Sequence, residues 1–345
     1  NNPSSGGYRT LLKYIKLLND THYTVDLYFG VCWNDKEVNF NVHILNEYGV
    51  PNCKNWYNKS NNIYSIIENI ENYKVIDISM NNFYIGFKCQ RHYDIIVANA
   101  WQTANAVYEN RNSANKIYYI IQDREELFYP NNEQLKNNVL QTYKQEFNYY
   151  CITKNLGLYF RNVYNFDNIV SSYMSVNISI YKNLNNIRYN NVIIPYYSYH
   201  KPGRNPDLVE EIIYTLSSNG IVCYVYPFEY TKHANDYIHN MGIMTENQLN
   251  QLYNKHKVGI VFSNTNPSRL GLEMYASGLH VIEYESEFTK HDLPDKYFTK
   301  IKNNNNILQI IHDLFDKKYD EGFLDYINPD IEHDNFLSYI NKNIF

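Results

Sequence analysis

Short apolar runs of strand type alternate along this chain with segments of helical spacing, and that alternation restricts it to an α/β fold. Asp94-Ile95-Ile96-Val97-Ala98, Lys116 to Gln122 and Tyr149 to Thr153 read as strands in the first half. Between and around them, Tyr8 to Leu18, Ile63 to Ile70, Trp101 to Tyr108, Glu133 to Gln145 and Leu156 to Val163 have helical spacing, and Val25 to Val31 reads as a further strand. The rhythm restarts with strands at Asn191 to Tyr197, Ile221 to Tyr226, Val258 to Ser263 and His280 to Glu283. Helices are expected at Pro206 to Leu216, from Thr245, at Leu270 to Ser277, Asn306 to Phe315 and Asn335 to Ile344. Asn205 is a candidate cap, Thr245 and Gln248 form a capping-box pattern, and Gly278 is a C-terminal stop. Strands alternating with helices predict parallel sheets covered on both faces.

At 345 residues the chain is long for one domain, so two sheets are expected, joined near 165–189. Hydrophobic residues are 44% of the total, ample for two cores. The 36 acidic and 31 basic residues leave a net charge of −5, which argues against bulk polyanion binding but leaves room for a local basic cleft. Five scattered cysteines, never spaced C-x-x-C, argue against a zinc ribbon or a disulfide framework and fit a reducing, cytoplasmic compartment. No apolar run reaches the roughly 20 residues of a membrane span. The opening Asn1 to Gly7 reads as a loop, so the chain is expected to be a piece of a larger protein whose first strand lies upstream.

Open α/β sheets bind ligands beyond the carboxyl ends of their strands. Three such ends in the second half carry chemistry. Tyr197 to Asn205 holds Lys201 and Arg204 before a helix, a pattern suited to a diphosphate or equally to an ordinary basic loop. Asn240 to Glu246 is a glycine turn into the capped helix. Ser263 to Met274 is a polar, glycine-containing loop entering a helix that carries Glu273, whose carboxylate suits sugar hydroxyls or a plain surface position.

Together, the segment from Met241 to Ile282 resembles the donor lobe of GT-B glycosyltransferases of the GT4 type. The residues that carry it are Gly242-x-hydrophobic-Thr245, Val258-Gly259-Ile260-Val261-x-Ser263 and Gly271-Leu272-Glu273-Met274-x-Ala276-Ser277-Gly278. Asp94 to Ala104, Tyr119 to Pro130 and Ser5 to Thr10 are similar to the WsaF-like rhamnosyltransferase branch. The resemblance implies two Rossmann-like lobes facing a cleft: an acceptor-side lobe over 1–180, a donor lobe over 181–330, and a C-terminal helix at 331–345 returning to the first lobe. It implies transfer of a sugar from a UDP- or dTDP-sugar to a glycan or glycoprotein, without a metal. Rhamnose or another deoxyhexose is the expected sugar.

The resemblance also assigns roles. Tyr199, Lys201, Arg204, Ser268, Arg269, Leu270, Gly271 and Glu273 would hold the donor, with Ile243 and Met244 at its base and Gly6 and Gly7 close to its diphosphate. Glu273, Gln122 and Asp123 are the catalytic candidates, although Asp123 equally suits a structural turn cap. Arg9, Trp101 and Thr103 would face the acceptor, with Trp101 equally suited to the core. The pattern departs from GT4 where its first glutamate is expected, because Thr265 stands near that position. That departure keeps open a catalytically weak GT-B module that binds a glycan or partner; a GT-B sugar-nucleotide epimerase is the enzymatic alternative.

Overall fold

The computed structural model describes residues 6–21, 23–29, 82–85, 89, 91–197 and 202–344. The chain forms two compact units. The first comprises Asn1–Gln122, Asn138–Tyr150 and His333–Phe345; the second comprises Asp123–Asn137 and Cys151–Glu332. The helix expected at Ile63 to Ile70 lies outside the described residues.

In the first unit, α1 (Gly6–Asn19) buries Tyr14 and Ile15. Gly6 and Gly7, expected in a loop, are its first two residues, where intrahelical N–H partners are not needed. β1 (Asp26–Phe29) pairs in parallel with β2 (Asn82–Ile85). β3 (Tyr93–Ala98), α2 (Trp101–Glu109) and β4 (Ala114–Ile121) form a βαβ unit with parallel strands. α3 (Glu133–Thr142), whose first five residues are assigned to the second unit, and β5 (Asn148–Cys151) follow, and the strand order is β3-β4-β5; α4 (Lys154–Tyr164) and β6 (Ile169–Ser171) come next in the chain and belong to the second unit.

The second unit holds a six-stranded parallel sheet. Its elements in chain order are β7 (Tyr189–Tyr196), α5 (Pro206–Ser218), β8 (Cys223–Pro227), β9 (Ile238–Asn240), α6 (Glu246–Tyr253), β10 (His256–Val261), α7 (Arg269–Ala276), β11 (His280–Tyr284), β12 (Phe298–Ile301) and α8 (Ile307–Asp316). The strand order is β12-β11-β10-β7-β8-β9, every pair parallel. The chain moves outward from β7 to β9, then restarts at β10 on the other side of β7. That reversal is a topological switch point, where open sheets bind ligands. Ile194, Ile212, Ile213, Val225, Val258, Ile260 and Ile311 form the aliphatic core.

Local chemistry explains the elements. Thr245 caps α6 by accepting from Gln248 N, and the Gln248 side chain reaches back to Thr245 N at 2.9 Å. Gly278 ends α7 with φ +91. Gly259 lets α7 lie close on β10, since a Cβ there would sit 2.5 Å from Met274 Sδ. Asn205 does not cap α5 through its side chain. It sits in the left-handed region at φ 50, and the Pro206 ring disfavours the right-handed helical region for the residue before it. β2, β6, β9 and β12 lacked an apolar run long enough to announce them: they span three or four residues. The chain closes in α9 (Pro329–Ile344), whose Phe336 stacks on Tyr14 at 4.1 Å within the first unit.

Candidate donor site in the second unit

The switch point lies between β7 and β10, and the loops that leave these two strands meet there. Asn264 N donates to Gly203 O at 3.0 Å, tying the 262–268 loop to the one before α5. Arg204 Nη1 donates to Ser263 Oγ at 3.1 Å and approaches Phe262 O at 3.5 Å. The guanidinium is thus fixed at the carboxyl end of β10. Thr265 lies against Gly203, where a Cβ would come within 3.5 Å of its Oγ1.

Asp123 joins this group. Its carboxyl is hydrogen-bonded to Thr265 and feels the charge of Arg204. Oδ1 also accepts from Arg124 N at 2.8 Å. The residue as a whole is only half-buried, but its carboxyl is desolvated, which raises its pKa above the ordinary carboxylate range; Thr265 and Arg204 pull it back down. The Arg204 cation, the Asp123 carboxyl and the Thr265 hydroxyl thus come together at a strand end. It can neutralise an anion and orient a hydroxyl group.

α7 starts beside them. Ser268 is buried and its N–H donates to Ser263 Oγ at 2.9 Å. Arg269 turns away to the Ser175 carbonyl. Leu270 is half-buried, and a Cβ at Gly271 would lie 3.7 Å or more from its neighbours, so close packing alone does not demand glycine there. Glu273 is 1% exposed. Its charge acts on Tyr226 and Tyr253, whose hydroxyls lie 2.6 Å apart and whose pKa values burial pushes well up. After β9, Gly242 turns at φ +66 and presents Ile243, 82% exposed, with Met244 half-buried.

In the first unit, the ends of β3 and β4 bring three expected residues together. Gln122 Nε2 lies 3.5 Å from Asn99 O. Thr103 Oγ1 accepts from Asn99 N and Ala100 N, each at 3.0 Å, and donates to Ala100 O at 2.8 Å. The Thr103 hydroxyl therefore organises the start of α2, beside half-buried Trp101, the helix's first residue. Tyr199, Lys201 and the Arg9 side chain lie outside the described residues.

Sequence reasoning missed the Ser263–Glu283 pair. Glu283 is fully buried, and its Oε2 accepts from Ser263 Oγ at 3.0 Å. The available signal was an acid within the apolar strand His280-Val281-Ile282-Glu283. Burial pushes its pKa up to about 7.

No family model and no curated protein matches the chain. Solved structures do. Sucrose-phosphate synthase from Thermosynechococcus elongatus aligns over 99% of this chain and 90% of its own length, at 11% identity and a TM-score of 0.60. The fold is that of GT-B glycosyltransferases. TarM aligns over 73% of this chain and 51% of its own, at 16% identity and a TM-score of 0.49. The catalytic domain of starch synthase IV from Arabidopsis thaliana aligns over 84% and 78%, at 10% identity and a TM-score of 0.49. Within this GT-B fold, the second unit carries the six-stranded sheet whose switch point holds Arg204, Asp123 and Thr265. Among the described residues, no helix is long and apolar enough to cross a membrane.

Proposed function

We propose that this chain is a glycosyltransferase that takes a nucleoside-diphosphate sugar in its second unit and passes the sugar to a glycan or glycoprotein. The observation that carries the reading is Arg204 fixed by Ser263 at the switch point, with the Asp123 carboxyl hydrogen-bonded to Thr265 beside it. Arg204 neutralises the diphosphate and stabilises it as a leaving group, an interaction that strengthens as the glycosidic bond breaks. Ile243 and Met244 receive the base, and Glu273 the ribose or sugar hydroxyls. Thr265 stands near the first glutamate of the GT4 pattern, and the Asp123 carboxyl is hydrogen-bonded to it. On this reading the enzyme is of the GT4 type and works without a metal, within a reducing compartment. Gln122 ends the strand that in GT4-type enzymes often closes with a donor-contacting histidine, and a deoxyhexose such as rhamnose, from a UDP- or dTDP-sugar, lacks the hydroxyl that such a histidine would bind.

A second reading is a donor-binding GT-B module with little turnover. Glu273 at 1% exposure and Arg269 turned to Ser175 favour it. Calorimetry with UDP-, dTDP- and GDP-sugars, on wild type, Arg204→Ala and Glu273→Ala, tests the donor site. One sugar nucleotide bound by wild type and weakened in both variants supports it. A folded wild type that binds none sinks it. Donor binding without sugar transfer to native glycan fractions selects the second reading.

A further inference from the structure

Glu283 is a fully buried carboxylate that the donor reading leaves without a task. Its Oε1 accepts from Tyr284 N at 2.8 Å and its Oε2 from Ser263 Oγ at 3.0 Å. Ser263 Oγ in turn receives Arg204 Nη1 at 3.1 Å and Ser268 N at 2.9 Å. A serine hydroxyl has one proton and two lone pairs. All three are used here, in one arrangement: the proton goes to Glu283, and the lone pairs take Arg204 and the start of α7. Both carboxylate oxygens act as acceptors, which is the pattern of the ionised form.

The charges around Glu283 balance that form. Lys300, its register partner on β12, faces it with Nζ buried and without a hydrogen-bond partner among the described residues. Arg204 faces it from the loop after β7. α7 presents Gly271, whose added Cβ would stop 3.9 Å from Oε2. Asp292, Asp295 and Glu285 act on Lys300 and favour its charged state, against the burial that lowers its pKa. Burial still outweighs these partners at Glu283 and brings its titration to about 7.

We propose that Glu283 is a positioning residue for the anion site: as a carboxylate it locks Ser263, which holds Arg204 and the first turn of α7 in place for a diphosphate, and on protonation it lets them go. A proton on Oε2 competes with the Ser263 proton for the same line of contact. A proton on Oε1 faces the Tyr284 N–H. Either way the Ser263 hydroxyl loses its charged acceptor, so the anion site loosens as the pH falls through the titration of Glu283. The proposal rests on the reading of this loop as a diphosphate site.

Two measurements test it. The first is a double-mutant cycle of Arg204→Ala and Glu283→Gln on chemical unfolding of the whole chain, at about pH 5.5 and about pH 8.5. Coupling between the two positions is expected at the higher pH and lost at the lower. Additive effects at both pH values overturn the proposal without touching the donor reading. The second is binding of UDP-glucose and dTDP-glucose across the same range. Wild type is expected to lose roughly 5- to 10-fold in affinity as the pH falls, and Glu283→Gln to bind weakly throughout, with no slope. A variant that keeps the wild-type affinity and slope overturns the proposal. A wild type that binds neither sugar nucleotide counts against the donor reading, and the unfolding cycle alone then decides the role of Glu283.

Discussion

The strand ends of the two units carry different chemistry. In the first unit they bring Asn99, Thr103 and Gln122 together, all neutral amides and hydroxyls. In the second, Arg204 is held by Ser263 and lies near the carboxyls of Asp123, bonded to Thr265, and of Glu283, which Lys300 faces from β12. Charged groups are costly to desolvate, and a chain keeps them buried where a charged ligand or a charge change repays the cost. Neutral groups suit a ligand rich in hydroxyls. The cores differ as well. The first unit packs Tyr14, Tyr118, Tyr150, Phe336 and Tyr339 ring against ring, while the second packs isoleucine and valine across its sheet.

The largest effect should come from breaking the aromatic core. Phe336 is 1% exposed, stacks on Tyr14 and meets Tyr150 edge-on. Phe336→Ala is expected to cost ~3–5 kcal/mol of stability. Chemical denaturation checks this. A loss below ~1 kcal/mol would mean that α9 contributes little to the first unit's core.

The next effect separates the units by pH. Folding raises the pKa of Glu283 from 4.5 to about 7. The folded state therefore holds this proton more tightly than the unfolded one. The resulting stability is complete below about pH 4.5 and is lost as the pH rises through about 7, to a maximum of ~3 kcal/mol. Glu283→Gln should remove that part of the slope. Unfolding measured across this range would show equal slopes in wild type and variant if Glu283 titrated normally.

Arg204→Ala tests the charged strand end directly. A hydrogen-bonded charge contact to phosphate is worth ~1.5–3 kcal/mol, so affinity for the bound sugar nucleotide should fall roughly 10- to 100-fold. Thr103→Ala, in the neutral strand end, should leave that affinity near wild type. Equal losses in the two variants would erase the distinction between the units.

The sequence made the fold legible because the second unit's central strands are long and apolar. β7, β10 and β11 could be read from Asn191 to Tyr197, Val258 to Ser263 and His280 to Glu283, and α6 from its Thr245–Gln248 box. Edge strands such as Ile238–Asn240 have no such run and were not visible. Arg204 was legible as a cation before a helix. Its partner Ser263 was not, because a hydrogen bond spanning 59 positions arises from the return of the chain to β10 beside β7. The same holds for Asp123 and Thr265: each lies at a strand end in sequence, and only the fold joins them.

The smallest effect concerns the Gly242 turn of the second unit. Gly242 turns at φ +66, and a Cβ there would meet nothing within 4 Å. Space is therefore no reason for glycine at this position; backbone conformation is. Gly242→Ala should cost ~1 kcal/mol, the strain of an L-residue in the left-handed region. The turn presents Ile243 to solvent at 82% exposure. If that loop receives the base, the substitution should also weaken sugar-nucleotide binding, while inorganic pyrophosphate, which has no base, should bind as before. Calorimetry with both ligands separates the two contributions. A loss shared equally by pyrophosphate would tie the turn to the diphosphate loop, and remove Ile243 and Met244 from the base.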